Sequence, residues 1–217
     1  MYFTRMPLNS ARRGTRFLHA SPHALHAAVL AGFPPEVSTA SDEGRVLWRL
    51  DRKGHELTLY VVSPESPDFT HLIEQAGWPL SSTWQTSDYA PFLNQLTLGQ
   101  QYIFRLTANP VRQPRDPELG GKRVGHVTAA QQERWLLDRA GACGFAVREA
   151  VDTSREIAVS EREVKKFARG KSLVTLSTAR FDGVLEVTDA GLLRASLTKG
   201  IGPAKGYGCG LMTLARV

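Results

Sequence analysis

Residues 199–210 read KGIGPAKGYGCG, and an apolar run at 211–217 follows them. Five glycines are interspersed here with Lys199, Lys205 and Tyr207. Glycine adopts positive φ at little steric cost and allows another backbone to approach closely. Successive exposed backbone N–H groups beside lysines form a site for anions, above all for phosphate. The sequence therefore predicts a cationic, glycine-rich loop just before a closing strand, and the rest of the fold is interpreted around it.

Two well-known phosphate sites do not fit this loop. A dinucleotide fingerprint needs its glycines between a strand and a helix inside a βαβ unit, and only seven residues follow Gly210. The segment RGKS at 169–172 resembles the end of a P-loop, but that pattern requires glycine where this chain has Lys165. A glycine-rich hairpin with lysines for solubility stays open as the alternative, since short motifs match by chance.

The composition is that of a soluble globular protein with a bias toward polyanions. The 217 residues are 42% hydrophobic and 22% charged, with a formal net charge of +6. This length allows one large domain or two small ones, and the positive charge favours a nucleic acid as partner. No apolar run approaches the roughly 20 residues of a membrane span, and no signal peptide is evident. Two cysteines form neither a metal motif nor a disulfide framework, so we expect a cytoplasmic protein without membrane partners.

Periodicity and capping residues predict the order strand–helix–strand–strand–helix–strand in each half of the chain. This is the order of a ferredoxin-like domain, which the RNA-recognition module shares in having a four-stranded sheet. We therefore predict an α+β fold with antiparallel sheets in tandem ferredoxin-like domains, at 1–92 and 101–217, with a linker at 93–100. The elements expected in the first half are a strand at 2–8, a basic loop at 9–16, a helix capped by Ser21 with Pro22 in its first turn, strands at 45–51 and 56–62, a helix at 68–75 and a short strand within 79–100.

The second half begins with a strand at 102–107 and a further basic loop. Thr128 caps a predicted helix that ends at Gly141. The segment Phe181-Asp182-Gly183 predicts a hairpin turn between strands at 173–178 and 184–187. The remaining expected elements are a strand at 145–150, a short helix at 189–199 and the closing strand at 211–217.

His23 and His26 are the residues best suited to acid–base chemistry. They lie three positions apart on a predicted helix, about 60° from each other, and histidine titrates nearest to neutral pH. The positive end of the helix dipole favours a neutral, base-competent ring. Two ordinary surface histidines are the alternative. A metal site would need a further ligand nearby, so none is predicted.

Basic residues gather in loops and in the stretch 155–171, which carries few carboxylates. A basic hairpin or loop of this kind can follow a duplex backbone, with arginine reaching a guanine edge, whereas a solvated charged segment is the alternative. The predicted RNA contacts are Arg12, Arg13, Arg16, Arg112, Arg115, Lys122, Arg123, Arg162, Lys165, Lys166, Arg169, Lys171, Lys199, Gly200, Gly202, Lys205, Gly206, Tyr207, Gly208 and Gly210.

Six segments carry a resemblance when they are taken in order. They are residues 2–9, SPHALH at 21–26, LWRL at 47–50, FRLTANP at 104–110, GKRV at 121–124 and residues 200–211. Together they resemble the CasE family of CRISPR RNA-processing endoribonucleases, part of the repeat-associated RNA-binding superfamily. The resemblance covers nearly the whole chain, and the order and spacing of these loose motifs make it specific.

This resemblance implies two ferredoxin-like domains that bind the hairpin of CRISPR repeat RNA and cut it once at the 3′ base of the stem. It implies a reaction without metal or cofactor, and a protein that is monomeric when free and stays with the product among the other Cascade subunits. The family's catalytic histidine corresponds to His26. Some members have tyrosine where this chain has His23, which leaves His23 as the second proton carrier or as a residue that orients the phosphate. The glycine-rich loop corresponds to 200–210 and the duplex-groove element to 165–171.

The implied reaction uses the 2′-hydroxyl of the RNA as nucleophile, so that the protein mainly positions atoms in line. Proton exchange with His26 would contribute about 10²–10⁴-fold, and lysines with loop N–H groups would stabilise charge on the phosphate. The expected products are a 2′,3′-cyclic phosphate and a 5′-hydroxyl. A non-catalytic RNA-binding subunit of the same fold is the main alternative, and a small-molecule enzyme with an anion pocket is ranked last.

Overall fold

The structure, a computed structural model, describes residues 1–35, 41, 44–78, 83–113, 124–150, 155–169 and 172–217. Inter-residue contacts divide the chain into two compact units. The first unit consists of Met1–Gln95, Thr198–Gly200 and Lys205–Leu211, and the second consists of Leu96–Leu197, Ile201–Ala204 and Met212–Val217. The domain boundaries given above, 1–92 and 101–217 with a linker at 93–100, stay a prediction.

The first unit is built on a four-stranded antiparallel sheet in the order β2-β3-β1-β4. Its central strands pair from Tyr2 opposite Ser63 to Leu8 opposite Leu57. One sheet face and three helices share a core of buried apolar side chains that includes Met6, Leu25 and Phe69. The elements are β1 (Tyr2–Leu8), α1 (Arg13–Ala20), α2 (Pro22–Leu30), β2 (Leu47–Lys53), β3 (Glu56–Ser63), α3 (Thr70–Ala76), β4 (Gln85–Asp88) and α4 (Ala90–Asn94).

The junction between α1 and α2 confirms one prediction and corrects another. The Ser21 hydroxyl accepts a hydrogen bond from the Ala24 backbone N–H at 3.2 Å, which caps α2 as expected. The predicted basic loop at 9–16 is wrong, because α1 begins at Arg13. Gly14 lies inside α1, where the backbone of α3 passes so closely that an added Cβ would be 2.1 Å from the Gln75 carbonyl oxygen.

The second unit contains a sheet in the order β11-β5-β10-β8, with β9 paired to β10 beside this path. The Thr128 cap is confirmed: Thr128 and Gln131 form a capping box at the start of α5. Phe104, Trp135 and Phe181 are among its buried core residues. The elements are β5 (Gln101–Ala108), β6 (Val111–Arg112), β7 (Val124–Gly125), α5 (Ala129–Ala140), β8 (Phe145–Val147), β9 (Ile157–Arg169), β10 (Ser172–Val187), α6 (Ala190–Lys199) and β11 (Met212–Arg216).

The predicted hairpin around Phe181-Asp182-Gly183 is wrong. β10 runs unbroken through these residues and pairs with β9 from Ser172 opposite Arg169 to Gly183 opposite Ile157. Asp182 accepts hydrogen bonds from Arg105 and Arg180, so its carboxylate belongs to a sheet surface. Gly183 is needed for space, since an added Cβ would lie 2.3 Å from the Glu156 carbonyl oxygen. Aspartate followed by glycine therefore marks close strand packing here, and not a turn.

Both sheets have the strand order of the ferredoxin-like fold, which is the fourth strand, then the first, third and second of each unit. The predicted fold class, tandem ferredoxin-like domains with antiparallel sheets, is confirmed. Among the described residues, no helix is both long enough and apolar enough to cross a membrane.

We expect Gly14→Ala to lower the free energy of unfolding by about 1–3 kcal/mol, because the new methyl group overpacks the contact between α1 and α3. Gly141→Ala is the matched control. It has helical φ of −59° and open space at the Cβ position, so it should be neutral or stabilise by up to about 1 kcal/mol. Denaturant unfolding of both variants measures the difference, and an equal effect of the two substitutions would contradict the packing account.

Candidate active site

His26 is held at the surface of the first unit by the packing of α2. Leu25 and Val29 of this helix are buried in the core, which leaves His26 half-buried at the border of the apolar stripe. The indole Nε1–H of Trp48, on β2, donates a hydrogen bond to His26 Nδ1 at 3.1 Å. The two rings are stacked, with centroids 6.5 Å apart and planes at 26°. Trp48 is only 3% exposed, so the core fixes the position of its N–H.

The other nitrogen of His26 faces the glycine-rich loop. Residues Lys205–Tyr207 of this loop form a 3₁₀ turn, which lies against α2. An added Cβ at Gly206 would be 3.2 Å from His26 Nε2. The absence of a side chain at this position therefore keeps space open beside Nε2. The two ring nitrogens have different surroundings, Trp48 at Nδ1 and the loop backbone at Nε2.

Other glycines of the loop allow close packing. Gly208 has φ of +79°, and an added Cβ would lie 2.6 Å from the Trp48 ring. Gly200 has φ of +77°, and a Cβ added to Gly200 would lie 2.7 Å from Leu47 Cδ2. Gly202 belongs to the second unit, where an added Cβ would lie 2.8 Å from the Trp135 ring. These positions thus have a packing reason for glycine, and their contact with RNA, like that of Gly210, stays a prediction.

Arg49 fixes the end of the loop. It is 2% exposed, and its guanidinium forms a bidentate ion pair with Asp51, with N–O distances of 2.7 and 3.0 Å. Its Nη1 also donates a hydrogen bond of 3.0 Å to the Leu211 carbonyl oxygen. A buried guanidinium needs such partners, so the loop end and β2 are held together by an interaction that is costly to break.

The surroundings of His26 favour its neutral form. Burial lowers the pKa of His26, and the positive charge of Arg45 and the neighbouring His23 lower it further. Arg45 lies just before β2, and its backbone N–H donates to the Thr198 carbonyl oxygen at 3.1 Å. Among the described residues, the buried Nε of Arg45 has no hydrogen-bond partner. Sequence reasoning missed Arg45, because no motif marks it and only the fold brings it to His26.

The remaining predicted residues of this region are placed as follows. His23 is exposed on α2, one turn before His26. Lys199 is the last residue of α6, and Lys205 and Tyr207 belong to the 3₁₀ turn beside His26. Among the described residues, no group of three or more His, Cys, Asp or Glu side chains is arranged to hold a metal ion.

The arginines in and next to α1 differ in their hydrogen bonds to the rest of the protein. Arg12 donates from Nη1 to the carbonyl oxygens of Ile73 and Glu74 near the end of α3, so its guanidinium has a structural role. Arg16 donates to the Ala11 carbonyl oxygen at 2.6 Å, and Arg13 is exposed. Contact of any of the three with RNA stays a prediction.

The predicted basic residues of the second unit lie on β9 and near β6. Arg162 donates to Gln132 Oε1 at 2.9 Å, Lys165 pairs with Glu163 at 3.1 Å, and Lys166 is exposed. Arg112 lines a cavity of about 600 Å³, together with His126, Arg134, Trp135 and Arg139. Arg169 lies in β9, but its side chain is outside the described part of the chain, as are the residues Arg115, Lys122, Arg123 and Lys171.

Comparison with known proteins places this chain in a family. The sequence profile of the family "CRISPR associated protein" matches residues 1–216. The chain is 32% identical over 224 aligned positions to the CRISPR-associated endoribonuclease Cse3 of Thermus thermophilus, covering 99% of this chain and 100% of that protein. The chain belongs to the Cse3/CasE family of CRISPR-associated proteins. The predicted membership is confirmed.

Two further relatives of the Cse3/CasE family are similar to this chain. The CRISPR system Cascade subunit CasE of Escherichia coli is 32% identical over 170 positions, which cover 74% of this chain and 81% of that protein. A solved structure of Thermus thermophilus Cse3, bound to an RNA representing a pre-cleavage complex, has a TM-score of 0.80 at 27% identity and covers 99% of this chain and 98% of that chain.

We expect His26 to titrate below the ordinary histidine pKa of about 6.5. The unfolded chain then binds more protons than the folded one between the two pKa values, so the contribution of His26 to stability is complete above about pH 6.5 and is lost on acidification. NMR titration of the ring measures this directly. Arg45→Gln should raise the pKa of His26 by removing a nearby positive charge, whereas the control Arg52→Gln, at the far end of β2, should leave the titration unchanged. A wild-type midpoint at or above 6.5 would contradict this account.

Proposed function

We propose that this protein is a metal-independent endoribonuclease that binds the hairpin of CRISPR repeat RNA, cleaves at the 3′ base of the stem and retains the guide RNA in a Cascade complex in the cytoplasm. Membership of the Cse3/CasE family supports this proposal, since one relative is named an endoribonuclease and another a Cascade subunit. The observation that carries it is the environment of His26. Its Nε2 borders a glycine-lined loop, and a guanidinium stands nearby.

The proposed reaction is an internal transesterification. The 2′-oxygen forms a bond to the phosphorus while the bond from phosphorus to the 5′-oxygen breaks. One proton leaves the 2′-hydroxyl and one reaches the departing 5′-oxygen, so no water is consumed. The products are a 2′,3′-cyclic phosphate and a 5′-hydroxyl. Because the nucleophile belongs to the RNA, the protein contributes alignment, proton exchange and charge stabilisation.

His26 is the proposed catalytic residue because its Nε2 is the ring atom available to RNA. Its Nδ1 already accepts the hydrogen bond from Trp48. His23, exposed on the same helix, is proposed as the second proton carrier or as a residue that orients the phosphate. Proton exchange by such groups contributes typically about 10²–10⁴-fold.

Arg45 is proposed to bind the phosphate at the cleavage position, together with Lys199 and Lys205. A buried guanidinium N–H without a protein acceptor costs free energy, and a phosphate oxygen would satisfy it. Arginine suits phosphate because its planar donors can bind two oxygens at once. In the second unit, Lys165 and Lys166 of β9 and the exposed Arg112 are proposed contacts to the RNA backbone, which would make affinity fall with salt.

We expect His26→Ala to reduce cleavage of a synthetic repeat hairpin by about 10²–10⁴-fold while its affinity for the hairpin changes little. A single 2′-deoxy substitution at the cleavage position should also stop cleavage and leave binding intact. Wild-type cleavage is also measured by gel analysis of the products, once in excess EDTA and once without it. Because no metal is needed in the proposed reaction, the extent of cleavage should be equal under the two conditions. An RNA that binds but is never cut, by wild type or variant, would indicate a non-catalytic RNA-binding subunit.

We expect Arg45→Gln to reduce cleavage by about 10²-fold through lost stabilisation of charge on the phosphate. Arg52→Gln is the matched control, because Arg52 flanks the other end of β2 and donates from Nε to the Gly54 carbonyl oxygen. Single-turnover cleavage rates at saturating protein separate chemistry from binding. Equal rates for the two variants would remove Arg45 from the proposed phosphate site.

A further inference from the structure

We propose that Trp48 is a positioning residue that holds His26 as the neutral tautomer with its proton on Nε2, so that His26 meets the RNA as a hydrogen-bond donor and not as the base for the 2′-hydroxyl. This inference rests on the proposed function for its role toward RNA. The assignment of the tautomer concerns the free protein alone.

The tautomer follows from the kind of donor that faces Nδ1. An indole N–H can only donate, so His26 Nδ1, at 3.1 Å from it, must present a lone pair. A neutral imidazole carries one N–H, and with Nδ1 occupied as acceptor that proton resides on Nε2. A protonated ring would carry a hydrogen on both nitrogens and would point its Nδ1–H at the N–H of Trp48. That form loses the hydrogen bond and brings two donors together.

Trp48 cannot easily give way to a protonated or reversed ring. Its side chain is almost fully buried, and the backbone of Gly208 lies so close that not even a Cβ would fit between them. Interiors of this density resist rotation of a large ring. The hydrogen bond at Nδ1 is therefore a persistent feature of the site.

The charges around the ring act in the same direction as Trp48. Among the residues that the structure describes, the titratable and charged groups on the surrounding elements are His23 on α2, Arg45 before β2, and Lys205 and Tyr207 in the 3₁₀ turn. None of these is a carboxylate, so none would stabilise an imidazolium. Further along β2, the positive charge of Arg49 is already paired with Asp51.

The consequence concerns the direction of the hydrogen bond to RNA. The Nε2–H lies beside Gly206, which has no side chain to cover it. There it would stabilise the oxygen that gains negative charge as the bond to phosphorus breaks. To accept the proton of the 2′-hydroxyl, His26 would first have to move its own proton to Nδ1 and break the bond from Trp48. The proton of the 2′-hydroxyl therefore leaves to His23 or to solvent. The departing 5′-oxygen receives its proton from the protonated His23 or from solvent, while the Nε2–H of His26 donates a hydrogen bond to it.

The test is NMR of the free protein with ¹⁵N-labelled histidine, which distinguishes a protonated Nε2 from a protonated Nδ1. Wild type should show His26 neutral at pH 7 with the proton on Nε2. Trp48→Phe keeps an aromatic ring and removes the N–H, so the preference for this tautomer should weaken and the pKa of His26 should rise. Trp78→Phe, at an exposed tryptophan of the same unit, is the control and should change neither. A wild-type ring protonated on Nδ1, or an unchanged tautomer and pKa in Trp48→Phe, would overturn the proposal.

Cleavage assays then address the role toward RNA. Trp48→Phe should lower the single-turnover rate constant by about tenfold without a change in hairpin affinity. The acid limb of its pH–rate profile should move to higher pH, since the ring now becomes neutral only at higher pH. A normal rate and profile would refute the donor role. If wild type has the expected tautomer but cuts no RNA, the proposed function fails while the assignment of the ring stands. If Trp48→Phe does not fold, the wild-type spectrum alone decides the tautomer.

Discussion

The glycine-rich loop and β2 approach each other more closely than side chains would permit, and the site depends on this constraint. Leu47 faces Gly200 and Trp48 faces Gly208, in each case with no room for a Cβ. Arg49 ties the loop end through the Leu211 carbonyl oxygen. This packing leaves Trp48 one position, and that position determines which nitrogen of His26 remains for a ligand.

The same packing explains why residues distant in sequence share one unit. The site combines α2, the start of β2 and the segments 198–200 and 205–211, all within the first unit. By contrast, most of α6 and all of β11 belong to the second unit. A fragment that ended near Gln95 would therefore lack the loop beside His26. The segments 198–200 and 205–211 thus belong to the N-terminal unit, although they lie near the C-terminus of the chain.

The charges around His26 favour the binding of a polyanionic substrate and disfavour protonation of the ring. Cationic groups surround a half-buried histidine whose pKa is lowered by burial and by Arg45. Bringing a phosphate into this setting would offset the repulsion among the cations. It would also give an acceptor to the Nε of Arg45, which has none among the described residues. In the proposed mechanism the neutral His26 directs a hydrogen bond, while Arg45 and the lysines provide the positive charge.

Local patterns in the sequence were sufficient for much of this protein. Ser21 and Thr128 indicated their helices because a cap bonds to a backbone N–H only a few residues away. The strand order of both sheets also followed from the succession of elements, and His26 was named from its place on α2. Local reasoning failed at two glycines, whereas Gly141 was correctly predicted to end its helix. Gly14 and Gly183 were interpreted as loop and turn, although each is required by a neighbouring backbone distant in the chain.

Only the tertiary structure decided which residues contact His26 and influence its pKa. The sequence contains Trp48 and Arg45 without any signal that they serve this histidine, because the hydrogen bond and the charge act across 22 and 19 residues respectively. Periodicity and capping are short-range and can be read from the chain. The protonation state of a ring depends on which groups the fold brings within a few ångströms of it. In this protein, the packing of the glycine-rich loop against β2 determines which groups lie next to His26.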